Sequence, residues 1–318
     1  MDREELRRLI VGPMATVGTP FDEGFEVDYG KMAEMTKWWV ENGLVKGAAV
    51  IKVAAAMGEG PQLRDHEWQV LLRTAVQASD GRATIMCGLH YKDTVRQIED
   101  ARRAQDLGAV AVQVSPPVHS GPTQDDVLRF YEDLANAVDI GIMVYNTMGM
   151  LGDKITPDNY RQIAQFDNVV AIKWQAPTEV GYDAIFDLKD RVNIIDNSKD
   201  PIRNHKLGGH GYINWTADIH PPVDLRFWDL MENGDYDDAQ ALWDSVYLPL
   251  MDFQNKISVK SGGQARLKKG LMAVMGRPIG HSRPPSLPLT DAEIAELREI
   301  VVGFGWPVPE VAQAAAVA

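Results

Sequence analysis

The chain has 318 residues, 45% of them hydrophobic and 24% charged, with a formal net charge of −13. That length can bury a sizeable core, as one large barrel with an appendage or as two average domains. The acidic balance argues against non-specific nucleic-acid binding. No stretch approaches the roughly 20 apolar residues of a membrane span, and an anionic small molecule would need a local positive group or a nest of backbone amides.

The opening MDREELRRLI mixes acids and bases and lacks the apolar core and cleavage site of a secretory signal. The single cysteine, Cys87, sits in the apolar run ATIMCGLH, so no disulfide can form within the chain and a cytoplasmic location is expected. Short apolar runs then alternate with segments of helical period. The strand candidates begin at Val11 (VGPMATVGTP), Gly47 (GAAVIKVAAA), Ala83 (ATIMCGL), Ala109 (AVAVQVS), Ile140 (IGIMVYN), Val169 (VVAIKW), Val192 (VNIIDN) and Gly211 (GYINWT).

Amphipathic stretches lie between them, such as DYGKMAEMTKWWVENG, RDHEWQVLLRTAVQAS, KDTVRQIEDARRAQDLG and TQDDVLRFYEDLANAVD. In the third of these, Val95, Ile98, Ala101 and Leu107 follow the helical period and Gly108 supplies the stop. Strand and helix alternating in this way favour an α/β fold, a closed (β/α)8 TIM barrel, over an open doubly wound sheet; neither GxGxxG nor GxxxxGK[ST] occurs. The barrel is expected over residues 1–222 and a helical region over 223–303, with a frayed tail over 304–318. No repeat of solenoid spacing is found.

Two strands carry a residue that a buried strand avoids, Tyr145 in IGIMVYN and Lys173 in VVAIKW. In a parallel barrel, late strand positions aim at the mouth where active sites lie. A lysine set among Val169, Val170, Ala171 and Ile172 is poorly solvated, which lowers its pKa and makes the neutral amine available as a nucleophile toward a carbonyl. The plain alternative is an ammonium that snorkels to solvent or pairs with a carboxylate.

These residues resemble the dihydrodipicolinate synthase and N-acetylneuraminate lyase family of class I aldolases. Tyr145 and Asn146 match its strand-five YN, and Lys173 its strand-six lysine; AAMGE at 55–59 is similar to its GTTGE turn, and Thr19, Pro20 and Phe21 to its TPF. GRPIGHSRPPSLPLTDAE is similar to its C-terminal segment, and the resemblance runs to about residue 303. It implies a barrel plus C-terminal helices, assembled as a homo-oligomer, a tetramer of tight dimers or a dimer. It also implies that Lys173 forms a covalent imine with a 2-oxo acid, with no metal or other cofactor, while Tyr145 shuttles protons. Backbone amides around Ala56, Met57 and Gly58 would bind the substrate carboxylate, and Glu59 would be a structural acceptor for that turn.

Three departures bear on the substrate. Ala56 and Met57 replace both threonines of the turn, so a hydroxyl relay must be rerouted. The family's loop after strand four, PYYNKP, is met by PVHSGP; the tyrosine that completes the relay across the synthase dimer aligns with His119, a candidate acid or base that is otherwise an exposed loop histidine. The arginine that binds the synthase's aldehyde substrate aligns with Met150, and Met148 and Met150 make that wall apolar and adaptable. These changes speak against a lysine-biosynthesis synthase and against a sialic acid lyase. Gln175, on the same strand face as Lys173, and Asn214 are candidates to hydrogen-bond substrate oxygens.

Other residues weigh less. Lys52 in strand two, within a segment longer than a typical member's, is a weak competitor for the nucleophile. His205 and His210 read as loop residues, QARLKKG as a solvated helix face, and Trp38 with Trp39 as packing on a helix. The leading expectation is a lyase or aldolase acting on pyruvate or a 2-oxo acid with a less polar distal part, of hydratase-aldolase type. A sugar-acid dehydratase of the deoxyglucarate kind is the runner-up on the same imine chemistry, and a non-catalytic oxo-acid-binding protein the alternative from another class.

Overall fold

The structure, a computed structural model, describes residues 1–119, 121–146, 155–177 and 179–310. Eight parallel strands close into a barrel in sequence order. They are β1 (Gly12–Thr16), β2 (Val50–Val53), β3 (Thr84–Leu89), β4 (Ala111–Val114), β5 (Gly141–Tyr145), β6 (Val169–Trp174), β7 (Asn193–Asp196) and β8 (Gly211–Tyr212). Each falls inside one of the eight apolar runs, because a strand covered on both faces is apolar nearly throughout.

Side chains alternate between the barrel interior and the helix-facing layer with period two. Met14, Val50, Met86, Ala111, Met143, Ala171 and Ile195 pack together as the interior plug. Two residues further along their strands, Thr16, Lys52, Gln113, Tyr145 and Lys173 face the cavity above that plug. One turn of the alternation thus separates packing from chemistry.

The opening ten residues, read only as lacking a signal, form helix α1 (Arg3–Leu9), and Leu6 and Ile10 join the interior plug. Asp2 caps it by accepting from the Glu5 amide at 2.8 Å, and Glu5 returns the bond to the Asp2 amide at 2.9 Å. Around the barrel run α2 (Tyr29–Glu41), α3 (Asp65–Ala78), α4 (Thr94–Asp106), α5 (Gln124–Ala137), α6 (Pro157–Ile163) and α7 (Pro201–Lys206). In α4, Ala101 and Ala104 are buried and Ile98 packs against the core, as does Leu107 at the helix end, whereas Val95 is 66% exposed.

The long stretch after residue 220 is two helices, α8 (Pro221–Glu232) and α9 (Tyr236–Ser258), followed by α10 (Gln264–Val274) and α11 (Asp291–Gly303). Here the basic run of α10 departs from the solvated face expected of it: Arg266, Lys268 and Lys269 are all buried. Lys268 pairs with buried Asp218 and donates to the Trp215 carbonyl at 3.2 Å. Lys269 pairs with Glu59 at 3.1 Å and donates to the carbonyls of Thr19 and His281. Arg266 donates to the carbonyls of Leu287, Ile257 and Ser261. Buried cations are tolerated when paired and hydrogen-bonded, and these three tie α10 to the barrel mouth and to the C-terminal segment.

Trp39 is buried on α2 and donates from its indole to the Asp218 carbonyl at 2.8 Å, while half-buried Trp38 lies under the Arg277 guanidinium at 3.9 Å. His205, expected in a loop, is in α7 with its ring nitrogens on Glu232 (2.9 Å) and the Tyr236 hydroxyl (3.2 Å). No described helix is long and apolar enough to cross a membrane.

Candidate active site

At the C-terminal ends of the strands lies a cavity of about 360 Å³. Lys173 enters it from β6. Burial pushes its amine down to about 7, and no carboxylate lines the cavity among the described residues to offset that. Tyr145 is the neighbour of Lys173 in the β5–β6 register, and the Lys173 Nζ stands 4.3 Å from the centroid of the phenol ring. The sequence-expected nucleophile and proton carrier are therefore side by side.

Residues 56–58 form a short 3-10 turn at the rim. Ala56 and Met57 line the cavity, and as the first residues of that turn their amides have no acceptor within it. Gly58 does not share the role expected of it, because its amide donates to the Ala55 carbonyl at 2.9 Å. Its own carbonyl accepts from the Thr19 hydroxyl at 2.5 Å, and a Cβ there would lie 2.3 Å from the Val17 carbonyl oxygen, so glycine is what lets the turn close onto β1. Glu59, at φ 63°, is buried and turned away toward Lys269.

Gln175 lines the cavity with its carbonyl oxygen accepting from Asn197 at 3.3 Å. Asn214 also lines it, but its side chain is committed to the frame: Nδ2 donates to Asp224, and Oδ1 accepts from the amides of Thr216 and Ala217 at 3.1 and 3.3 Å. It shapes the wall. His119 is exposed in the loop after β4 and is not among the residues lining the cavity of its own chain. Met148 and Met150 lie outside the described residues.

Three features were missed in the sequence or, for Lys52, read there only as a weak competitor for the nucleophile. Lys52 is fully buried, and its Nζ donates to the Gln113 carbonyl oxygen at 2.7 Å inside the same cavity. His90, just past β3, packs edge-on against Tyr145 with ring centroids 5.9 Å apart; burial, then Lys173, push its imidazole down to about 3, so it is neutral at physiological pH. A lone histidine after an apolar run carries no signal of that neighbourhood. The third is an aromatic wall: Trp215 stacks on Tyr247 at 4.8 Å, which stacks on Trp243 at 4.2 Å, and both Trp215 and Tyr247 face the cavity. Lys199 stands over the Trp215 ring at the rim, 5.7 Å from its centroid.

The sequence pattern of the dihydrodipicolinate synthetase family matches residues 9–303. The 4-hydroxy-tetrahydrodipicolinate synthase of Heliobacterium modesticaldum is 28% identical over 293 residues, covering 90% of this chain and 93% of that one. Among solved structures, dihydrodipicolinate synthase from Aquifex aeolicus superposes with a TM-score of 0.80 at 22% identity, covering 94% of this chain and 99% of that one. The chloride-inhibited dihydrodipicolinate synthase from Acinetobacter baumannii, complexed with pyruvate, does so with a TM-score of 0.80 at 24% identity, covering 93% and 99%. At these identities the structural likeness speaks for the fold, and the match along the sequence speaks for kinship. The chain belongs to the dihydrodipicolinate synthetase family, a family of lyases within the class I aldolases.

Proposed function

We propose that this enzyme is a Schiff-base lyase or aldolase that condenses Lys173 with the ketone of pyruvate or a related 2-oxo acid and acts on partners whose distal part is apolar or aromatic. The observation that carries the reading is a lysine held near neutrality by burial, with the phenol of Tyr145 against it. Half of such an amine is unprotonated near pH 7, so it can attack a carbonyl without a separate base. The nitrogen of Lys173 forms a bond to the ketone carbon, the carbonyl oxygen leaves as water, and the protonated imine accepts the electron pair of the carbon–carbon bond that breaks. Tyr145, against that nitrogen, carries the proton in both steps.

The distal preference rests on the aromatic side chains of Trp215 and Tyr247, which give their side of the cavity an apolar lining. The test is a cleavage assay on 4-hydroxy-2-oxo acids bearing aromatic or polyhydroxylated distal parts, with Lys173→Ala as control. Pyruvate release that favours the aromatic series and vanishes in the variant supports the reading. Dehydration of a sugar acid without carbon–carbon cleavage would replace it, and ligand binding without turnover would make the protein a binder.

A further inference from the structure

The cavity holds more polar groups than imine chemistry at Lys173 uses. Thr16, Lys52 and Gln113 come from β1, β2 and β4, and all three sit in the same inward layer as Tyr145 and Lys173. Lys52 and Thr16 are register neighbours in adjacent strands. Of the three N–H groups on an ammonium at Lys52, one is taken by the Gln113 carbonyl oxygen. The Gln113 Nε2 and the Thr16 hydroxyl are buried with no hydrogen-bond partner among the described residues. Buried polar groups in folded proteins are nearly always satisfied, so a cluster of orphaned donors facing one cavity points to an acceptor that enters it.

The charge balance gives the sign of that acceptor. Among the described residues three lysines line the cavity, Lys52, Lys173 and Lys199, and no Asp or Glu does, in a chain whose net charge is −13. The other two fully enclosed lysines, Lys268 and Lys269, each have a carboxylate. Lys52 has none. The threonine hydroxyls expected in the rim turn are also missing, since Ala56 and Met57 stand there.

We propose that Lys52, with Gln113 and Thr16, forms an anion-binding floor that pairs with the carboxylate of the 2-oxo acid whose ketone condenses with Lys173, in the same cavity that the Ala56 and Met57 amides line. The inference rests on the imine reading given above. Lys52 makes and breaks no covalent bond: the Lys173 nitrogen bonds the ketone carbon, water leaves with the carbonyl oxygen, and Lys52 pairs with the carboxylate throughout. Burial and the nearby Lys173 hold the Lys52 amine well below its ordinary range; neutral His90, the Tyr145 and Tyr247 phenols and Lys199 are the other described titratable groups around the cavity. An arriving carboxylate supplies the missing counter-charge and restores the ammonium.

The test is borohydride trapping of the imine, read as the concentration of carbonyl compound that half-saturates the adduct on Lys173. Pyruvate is compared with pyruvamide, a neutral molecule of nearly the same shape, in the wild type, Lys52→Met and Gln113→Met. The inference predicts that the wild type prefers pyruvate. Lys52→Met should raise the pyruvate half-saturation about 100-fold and leave that of pyruvamide within about threefold, because a buried counter-charge is lost only for the anion. Gln113→Met should lose about tenfold for pyruvate, and it carries the test if Lys52→Met does not fold. A merely structural lysine would move both compounds together. If the wild type forms a Lys173 adduct and neither variant changes the preference for pyruvate, this inference fails and the proposed function stands. If the wild type forms no Lys173 adduct with either compound, or forms it on Lys52, both fail.

Discussion

Four lysines are enclosed among the described residues, in two regions, and they differ in one respect. Lys268 and Lys269, on α10, meet Asp218 and Glu59 and a set of backbone carbonyls. Lys52 and Lys173, on β2 and β6, meet no carboxylate among the described residues; one donates to an amide and the other faces a phenol ring. Similar burial therefore has different consequences. A paired ammonium is a structural cross-tie, while an unpaired one loses its proton easily and becomes a nucleophile or awaits an anion.

The largest expected effect breaks the reactive pair. Lys173→Met should abolish turnover, a loss of at least about 10⁴-fold, since the covalent route is removed rather than weakened. Tyr145→Phe should keep the imine and lower turnover by roughly 10²- to 10⁴-fold through lost proton transfer, which single-turnover kinetics with the trapped adduct would separate from binding. On the structural side, Lys268→Met leaves Asp218 buried and unpaired. It should cost about 3–5 kcal/mol of stability by denaturant unfolding, with activity per folded molecule retained. Trp215→Ala should alter preference among distal groups by roughly 10- to 200-fold, with the pyruvate adduct unaffected, as competition between aromatic and aliphatic aldehydes would reveal.

The same contrast has a pH signature. Lys173 titrates at about 7 in the folded protein against an ordinary 10.5, so the unfolded chain binds more protons between those values and stability rises with pH across them. Below about 7 both states carry the proton and the cost of a buried ammonium is fully present. Lys173→Met should accordingly melt higher than the wild type at pH 6, and the difference should shrink toward pH 10. A difference that is flat with pH would mean that Lys173 stays well solvated.

What the sequence makes legible is what is local to a strand or helix. The eight apolar runs locate the strands, and a tyrosine and a lysine near the ends of two of them locate the pair proposed to react, because period-two alternation makes their direction readable. The basic run of α10 is not legible, since Asp218 and Glu59 are remote in the chain and an isolated lysine on a helix normally faces solvent. The aromatic wall joins Trp215 after β8 to Tyr247 on α9, and neither residue alone announces the other. The layer shared by Lys52, Gln113 and Thr16 needs the barrel's closure, which brings β1, β2 and β4 around one axis. Gly58 shows the opposite case: its motif was read correctly, but its amide is spent on the turn itself.

The most direct measurement is borohydride reduction of the enzyme with pyruvate across pH 5–9, read by peptide mass spectrometry over every lysine. The account predicts a single reduced pyruvyl adduct, on Lys173, with a formation rate that falls about tenfold for each pH unit below about 7. An adduct on Lys52, or none on a folded protein at any pH, would contradict it.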